Sequence, residues 1–124
     1  MTKGEIAHIE FPADDTERAK RFYAAVAGWD IGGPTEGFPD YYMFRNGEGT
    51  GGAIGKRGES TGQTLRIYIT VDSLEDATAA AEANGGTVVE QPADIGGGMG
   101  RYAVVRDTEG SEVGLWQSAD DAAG

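Results

Sequence analysis

The feature that most constrains the fold is an internal repeat, because the same order of predicted elements occurs twice along the chain. Each half begins with an alternating strand, continues with a capped amphipathic helix and ends in short strands separated by turns. Pro12-Ala13-Asp14-Asp15 aligns with Thr70-Val71-Asp72-Ser73, and Glu48-Gly49-Thr50 aligns with Glu109-Gly110-Ser111. The repeat predicts an α+β fold of two tandem βαβββ units, each with one helix over a sheet.

The first repeat is predicted over about residues 5–56. Its first strand, 5–12, has period two, and Asp14 and Asp15 supply N-cap chemistry for a helix that ends at Gly28. The expected apolar stripe of this helix consists of Ala19, Phe22, Tyr23 and Val26. After a turn-rich stretch from Trp29 to Asp40, strands are predicted at 41–44 and 50–56, joined by a hairpin turn at 46–49.

The second repeat is predicted over about residues 64–117, after a polar linker at 57–63. Its helix is capped by Asp72 or Ser73, and its strands lie at 65–71, 87–90, 102–106 and 111–117. The residues expected beneath the helix are Leu65, Ile67, Ile69 and Val71, with Leu74, Ala77 and Ala81 on the helix itself. A glycine-rich loop fills 91–101, and the tail 118–124 is expected to fray. The whole chain, 1–124, is interpreted as one domain.

Polar side chains mark the sheet face that neither predicted helix covers. His8 and Glu10 lie on that face in the first repeat, and Arg66 and Tyr68 lie on it in the second. Two such curved mixed sheets would turn toward each other and enclose a cavity. Aromatic walls with a few polar groups suit a small-molecule pocket. The further residues expected to line or cap it are Tyr102, Trp116, Phe38, Tyr41, Tyr42, Met43 and Trp29, the last also explained by ordinary packing.

Charge and composition exclude several classes of function. The chain has 10 basic and 21 acidic residues, a formal charge of −11, which argues against nucleic acid or an anionic membrane as a partner. It has no Cys and one His, which excludes thiol nucleophiles, Cys-ligated metals and sites built from several imidazoles. No apolar leader or membrane-spanning stretch is present, so a cytoplasmic protein is expected.

The motifs together resemble the vicinal oxygen chelate superfamily, which includes glyoxalase I, the bleomycin-resistance proteins and the extradiol dioxygenases. The residues that carry the resemblance are His8-Ile9-Glu10-Phe11, Arg18-Ala19, Phe22-Tyr23, Gly28-Trp29, Tyr102-Ala103-Val104, Asp107, Glu109-Gly110 and Glu112-Val113-Gly114-Leu115-Trp116. The resemblance implies a small-molecule ligand and a homodimer. It does not imply one activity, because the family spans lyases, dioxygenases, epimerases, transferases and binding proteins.

The resemblance also implies four metal-ligand positions, which fall here on His8, Gly51, Arg66 and Glu112. Only His8 and Glu112 can bind a metal, and a guanidinium about 4 Å from a single positive charge is repelled by roughly 4 kcal/mol at a dielectric near 20. No cofactor is therefore expected. The alternative is a divalent ion (Zn, Ni, Mn or Fe) held by His8 and Glu112.

Two classes of function follow for these residues, and whether the chain is an enzyme stays open. In the first, it is a glyoxalase-like binding protein that holds a small organic ligand, an anionic one if Arg66 is a clamp, through Glu10, Arg66, Tyr68, Tyr102 and Trp116. In the second, His8 and Glu112 are catalytic, either on a metal or as a metal-free acid–base pair. A flanking Glu112 would raise the pKa of His8; alternatively, Glu112 forms an ion pair with Arg66.

Overall fold

The computed structural model describes residues 2–45 and 49–120. The chain divides into two compact units, which correspond closely to the two predicted repeats. We call His8–Arg66 the first-repeat unit, and Met1–Ala7 together with Ile67–Gly124 the second-repeat unit. The N-terminal residues join the second-repeat unit because the amide of Gly4 donates to the carbonyl of Thr70, and the amide of Thr70 donates to the carbonyl of Glu5.

Both units have the βαβββ order, so the predicted α+β class and the tandem repeat are confirmed. The elements of the first repeat are β1 (Ile6–Ala13), α1 (Thr16–Ala27), β2 (Asp30–Pro34), β3 (Tyr41–Arg45) and β4 (Gly52–Lys56). Those of the second are β5 (Arg66–Thr70), α2 (Leu74–Ala83), β6 (Thr87–Asp94), β7 (Arg101–Arg106) and β8 (Glu112–Gln117).

The strand orders of the two units match as well. The first runs β2-β3-β4-β1 and the second β6-β7-β8-β5. In each unit the first strand pairs in parallel with the last strand, and the other pairs are antiparallel. The parallel pair places the start of each repeat beside its end, with the helix crossing over the sheet between them.

The two helices begin at equivalent caps. The Asp15 carboxylate accepts a hydrogen bond from the amide of Arg18, and the Ser73 hydroxyl accepts one from the amide of Asp76. Gly28 ends α1 in the left-handed conformation at φ 70°. The predicted caps and the end of the first helix are therefore confirmed, with Ser73 rather than Asp72 in the second helix.

The predicted apolar stripe of α1 is wrong in two of its four members. Phe22 and Val26 are 56% and 68% exposed, and the helix faces the sheet through Thr16, Ala19 and Tyr23. The space beneath the helix is already filled by aromatic rings, since Trp29 stacks on Phe44 with ring centroids 4.0 Å apart. Tyr23 reaches this cluster and completes it. Trp29 is accordingly a packing residue.

The core of the second-repeat unit lies between α2 and its sheet. Its buried members are Val71, Leu74, Ala103, Val105 and Leu115, with Ile69, Ala77 and Ala81 packed against them. The predicted stripe of α2 is confirmed. Of the predicted apolar face of the first strand in this repeat, Ile69 and Val71 join the core, whereas Leu65 and Ile67 are exposed.

Other boundaries differ where glycine and proline hide the strand pattern. Strand β2 lies in the stretch predicted as turns, and β6 extends to Asp94, well into the predicted loop. Both are edge strands, which tolerate the Gly32-Gly33-Pro34 and Pro92 that obscure their alternation. The predicted hairpin turn falls on residues 46–48, and the end of the tail on 121–124, which lie outside the described residues. Neither helix is long and apolar enough to cross a membrane, within the part of the chain that is described.

Candidate functional site

In the first-repeat unit, the face opposite α1 carries a buried polar cluster. Strand pairing aligns Glu10 with Ala53 and Ala53 with Met43, and it aligns Tyr41 with Gly55. Because paired residues share a face and residues two apart lie on the same side, His8, Glu10 and Tyr41 are brought together there. We call His8, Glu10 and Tyr41 the first-repeat cluster.

Tyr41 joins the two predicted site residues of β1. Its hydroxyl donates to Glu10 Oε2 at 2.8 Å and lies 2.8 Å from His8 Nε2. Since the hydroxyl proton is committed to Glu10, the His8 contact is best satisfied with the ring proton on Nε2, so that imidazole donates to the tyrosine oxygen. The result is a hydrogen-bonded chain from imidazole through phenol to carboxylate, in which Glu10 and Tyr41 are both buried.

Tyr41 is fixed in this chain by the residues around it. It follows Asp40, which has φ 53° and whose carboxylate accepts a hydrogen bond of 2.6 Å from the Thr16 hydroxyl. The Tyr41 ring packs against Gly55, where an added Cβ would lie 2.8 Å from Cδ1 of the ring. The hydroxyl is thus aimed by the start of β3, the start of α1 and a glycine on β4.

The pKa of His8 is lowered, whereas a flanking Glu112 would raise it. Burial lowers the His8 pKa from its ordinary 6.5 to about 4, because the charged imidazolium is poorly solvated there. The ring is therefore neutral at pH 7, and its proton affinity is well below that of a general base matched to that pH. The geometry suits a fixed hydrogen-bonding group better than a proton shuttle.

Arg66 is buried at the start of β5, with 8% of its surface exposed. Its guanidinium lies against the backbone of Gly62, where a Cβ would be 2.6 Å from Nη2. The segment 57–63, predicted as a linker, is thus a turn that packs on a site residue. A guanidinium has five N–H donors in a planar fork, so it can bind a carboxylate in addition to protein partners.

In the second-repeat unit, the face opposite α2 is aromatic. Tyr68 and Tyr102 meet edge to face with ring centroids 6.5 Å apart, and the Tyr102 hydroxyl donates to Glu90 at 3.0 Å. The Tyr68 ring covers Gly114, where an added Cβ would lie 2.2 Å from Cδ2. We call Tyr68, Glu90, Tyr102 and Trp116 the second-repeat cluster. The contact between Glu90 and Tyr102 depends on a β6–β7 register that contains irregularities.

Trp116 ties the glycine-rich loop to the sheet. Its indole Nε1 donates to the carbonyl of Met99 at 2.8 Å, next to Gly100 at φ 87°. The loop also closes on itself, since the amide of Ile95 donates to the carbonyl of Gly100 at 2.9 Å. These two hydrogen bonds therefore hold the loop in a defined turn.

Glu112 lies at the end of the β7–β8 pair, opposite Arg106. The two side chains form an ion pair at 2.9 Å, and both are partly exposed. The ion pair with the cross-strand Arg106 is a contact of Glu112 that the sequence did not predict, and the suggested ion pair with Arg66 stays a prediction. An exposed ion pair of this kind contributes little to stability, about 0–1 kcal/mol.

Two of the four implied ligand positions cannot supply a ligand to a divalent metal, and a third is already hydrogen-bonded. Gly51 offers no donor, Arg66 is a cation, and Nε2 of His8 is hydrogen-bonded to Tyr41. Among residues 2–45 and 49–120, no group of three or more His, Cys, Asp or Glu side chains could hold a metal ion. A catalytic zinc site takes three protein ligands.

Comparison with known proteins places these observations in a family. A family model described as the Glyoxalase/Bleomycin resistance protein/Dioxygenase superfamily matches residues 5–115. A glyoxylase-like domain-containing protein from Didymella fabae is 30% identical over 114 residues, 87% of this chain and 89% of that protein. A probable lactoylglutathione lyase from Vibrio parahaemolyticus is 27% identical over 100% of this chain and 98% of that protein.

Among solved structures, a glyoxalase/bleomycin resistance protein/dioxygenase superfamily member from Vibrio splendidus 12B01 superposes with a TM-score of 0.69. The superposition covers 93% of this chain and 99% of that chain, at 12% sequence identity. At that identity the similarity establishes a common fold and nothing finer.

Proposed function

Since this chain belongs to the glyoxalase/bleomycin resistance protein/dioxygenase superfamily, we propose that it is a small-molecule-binding protein that works without a catalytic metal. The observation that carries the proposal is the His8–Tyr41–Glu10 chain of hydrogen bonds. It commits the imidazole at an implied ligand position to a protein partner, while burial keeps that imidazole neutral at pH 7. A rigid, neutral hydrogen-bonding group is what a binding site requires.

The ligand class follows from the charge of Arg66. A buried guanidinium favours a planar anionic group, such as a carboxylate, which it can bind through two parallel hydrogen bonds. We therefore propose a small anionic organic ligand bound by Arg66, with Glu10 holding the Tyr41 hydroxyl in place. In the second-repeat unit, Tyr68, Tyr102 and Trp116 are proposed as surfaces on which an aromatic ligand stacks. A cytoplasmic location and a homodimer remain predictions.

The proposal is tested by a thermal-shift screen of small carboxylic acids and antibiotics, followed by calorimetric titration of the acids that stabilise the wild type. Arg66→Ala is expected to weaken the binding of an anionic ligand by about 1.5–3 kcal/mol, because a charge-assisted hydrogen bond is lost. Arg21→Ala, on the exposed surface of α1, removes the same charge and should leave the affinity unchanged. Equal affinities for the wild type and Arg66→Ala would contradict the anionic ligand.

The alternative is a divalent-metal lyase or dioxygenase that uses His8 and Glu112, or a metal-free acid–base enzyme on the same residues. It draws on the similarity along the whole chain to a protein named probable lactoylglutathione lyase. Mass spectrometry of the untagged protein, dialysed after incubation with Zn, Ni, Mn and Fe, distinguishes the metal-dependent form. About one metal per chain, lost in both His8→Ala and Glu112→Ala, would overturn the proposal and direct attention to a lactoylglutathione lyase assay. If the metal-free wild type turns over a substrate and His8→Ala does not, the result would instead support the acid–base enzyme.

A further inference from the structure

The turn between the two repeats, residues 57–63, is held in place by hydrogen bonds. The carbonyl of Lys56 accepts hydrogen bonds from the amides of Ser60 and Thr61, at 2.9 and 3.2 Å. Arg57 anchors the turn at both ends, since its Nε donates to Asp14 at 2.8 Å and its Nη1 donates to the carbonyl of Gln63 at 2.5 Å. The backbone around Gly62 is therefore held by contacts of its own.

This turn packs close to the Tyr41 ring and against the Arg66 guanidinium. The position of a Cβ on Gly55 lies 2.8 Å from both the Tyr41 ring and Cγ2 of Thr61. Gly62 follows Thr61 in the turn. A Cβ on Gly62 would lie 2.6 Å from Nη2 and 3.3 Å from Cζ of Arg66. Two glycines thus leave the space that the phenol ring and the guanidinium occupy.

Gly62 is not required by its backbone conformation. It does not belong to the glycines with positive φ, so an alanine could adopt its φ without strain. What the glycine supplies is the absence of a methyl group beside the guanidinium. Real Cβ atoms essentially never approach another atom to 2.6 Å, so a side chain at this position must displace something.

We propose that Gly62 is a positioning residue for Arg66: its missing side chain provides the space in which the guanidinium lies, and so sets where Arg66 can meet an anionic ligand. The last clause rests on the proposed function. The positioning itself does not. The obstructed atoms are the far end of a flexible side chain, so Gly62→Ala should move the guanidinium while the fold is retained.

The experiment compares arginine Nε–H resonances in proton–nitrogen correlation spectra of the wild type, Gly62→Ala and Gly33→Ala. Gly33 is the matched control because it also lacks a positive φ and has no atom within 4 Å of an added Cβ. Arg66→Ala assigns the Arg66 signal by its loss. We expect the Arg66 signal to shift in Gly62→Ala and to stay in place in Gly33→Ala, with the backbone amide spectrum of a folded chain in both.

An unchanged Arg66 signal in Gly62→Ala would overturn the proposal. If Gly62→Ala lowers the melting temperature, the double variant Gly62→Ala/Arg66→Ala shows whether that loss of stability comes from contact with Arg66. A loss of stability that disappears in the Arg66→Ala background supports a contact between the two residues, whereas a loss of equal size in both backgrounds overturns it.

Titration with benzoate separates this proposal from the proposed function. If both hold, benzoate binds Gly62→Ala about tenfold more weakly than the wild type, which is about 1.4 kcal/mol, and binds the double variant no more weakly than Arg66→Ala. An Arg66 signal that shifts in Gly62→Ala but is unperturbed by benzoate in every variant supports the positioning role. It would at the same time overturn the binding of this anion by Arg66.

Discussion

The hydroxyl group of Tyr41 joins His8 to Glu10. Tyr41→Phe keeps the ring that packs on Gly55 but leaves a buried carboxylate oxygen and a ring N–H without that shared partner. We expect the free energy of unfolding to fall by about 1–3 kcal/mol, the cost of leaving buried polar groups unsatisfied. Urea unfolding followed by tryptophan fluorescence measures it.

Tyr23→Phe is the control for this substitution. Tyr23 also packs in an aromatic cluster, with its ring stacked 4.9 Å from Trp29, but no hydrogen bond to its hydroxyl occurs among the described residues. Its removal should change the free energy of unfolding by no more than about 0.5 kcal/mol. If both variants lose the same stability, the hydrogen-bonded chain does not stabilise the protein.

The low pKa of His8 makes stability depend on pH. The unfolded chain binds a proton at His8 below its ordinary pKa near 6.5, whereas the folded chain does so only below about 4. Between these values the unfolded state binds more protons, so the free energy of unfolding falls as the pH is lowered. The full loss for this 2.5-unit difference is about 3 kcal/mol and is reached near pH 4.

Urea unfolding at several pH values between 4 and 7 tests this dependence, with His8→Gln as the reference for carboxylates that titrate in the same range. The difference in stability between wild type and variant should shift in favour of the variant as the pH falls, because glutamine cannot be protonated there. Parallel pH profiles for the two chains would show that His8 is not held neutral by burial.

At the scale of elements, the sequence predicted what local chemistry determines. The caps at Asp15 and Ser73 depend on hydrogen bonds within one helical turn, and the alternation of β1 is complete within eight residues. It could not predict that Phe22 would be exposed, since that depends on Trp29 and Phe44 filling the sheet side first. Tertiary packing decides which face of a weakly amphipathic helix is buried.

Like the helices and strands, the candidate site was only partly predictable from the sequence. His8, Glu10, Arg66, Tyr68 and Tyr102 could be selected from strand phase and family resemblance. The hydrogen-bond partners could not, because Tyr41 and Glu90 meet them only through the register of strands distant in sequence. Glu112 shows the same limit, since its cross-strand partner Arg106 follows from the length of the β7–β8 turn.

The glycine-rich loop 95–100 offers a test at this scale. Trp116→Phe keeps an aromatic ring on β8 but removes the hydrogen bond to the Met99 carbonyl. Because one such bond contributes about 1 kcal/mol, amide hydrogen exchange in residues 96–100 should accelerate about fivefold. Mass spectrometry of the peptides that cover the loop provides the measurement.

Trp29→Phe is the control for the loop, since Trp29 packs on Phe11 and Phe44 in the first-repeat unit. It is expected to lower the overall stability and to leave the exchange of residues 96–100 unchanged. Unaltered exchange in Trp116→Phe would mean that the remaining backbone hydrogen bonds suffice to hold the loop.

For the whole molecule, the excess of acidic residues sets the response to salt. A formal charge of −11 creates self-repulsion that opposes the compact state, whereas surface ion pairs such as Lys20–Glu17, Arg57–Asp14 and Arg101–Glu75 are partly exposed and weak. Raising NaCl from about 0.01 M to about 1 M shortens the screening length from about 30 Å to about 3 Å. Added salt therefore weakens the destabilising self-repulsion by more than it weakens the stabilising ion pairs.

We expect the melting temperature at pH 7 to rise by about 4 °C over that range, which corresponds to about 1 kcal/mol for a chain of this size. Repeating the measurement near pH 4.3, the isoelectric point, supplies the control, since the net charge and its repulsion vanish there. A melting temperature that falls with salt at pH 7 would mean that the ion pairs outweigh the net charge. A rise of equal size at both pH values would assign the effect to salting-out of apolar surface, because only the electrostatic contribution depends on the charge state.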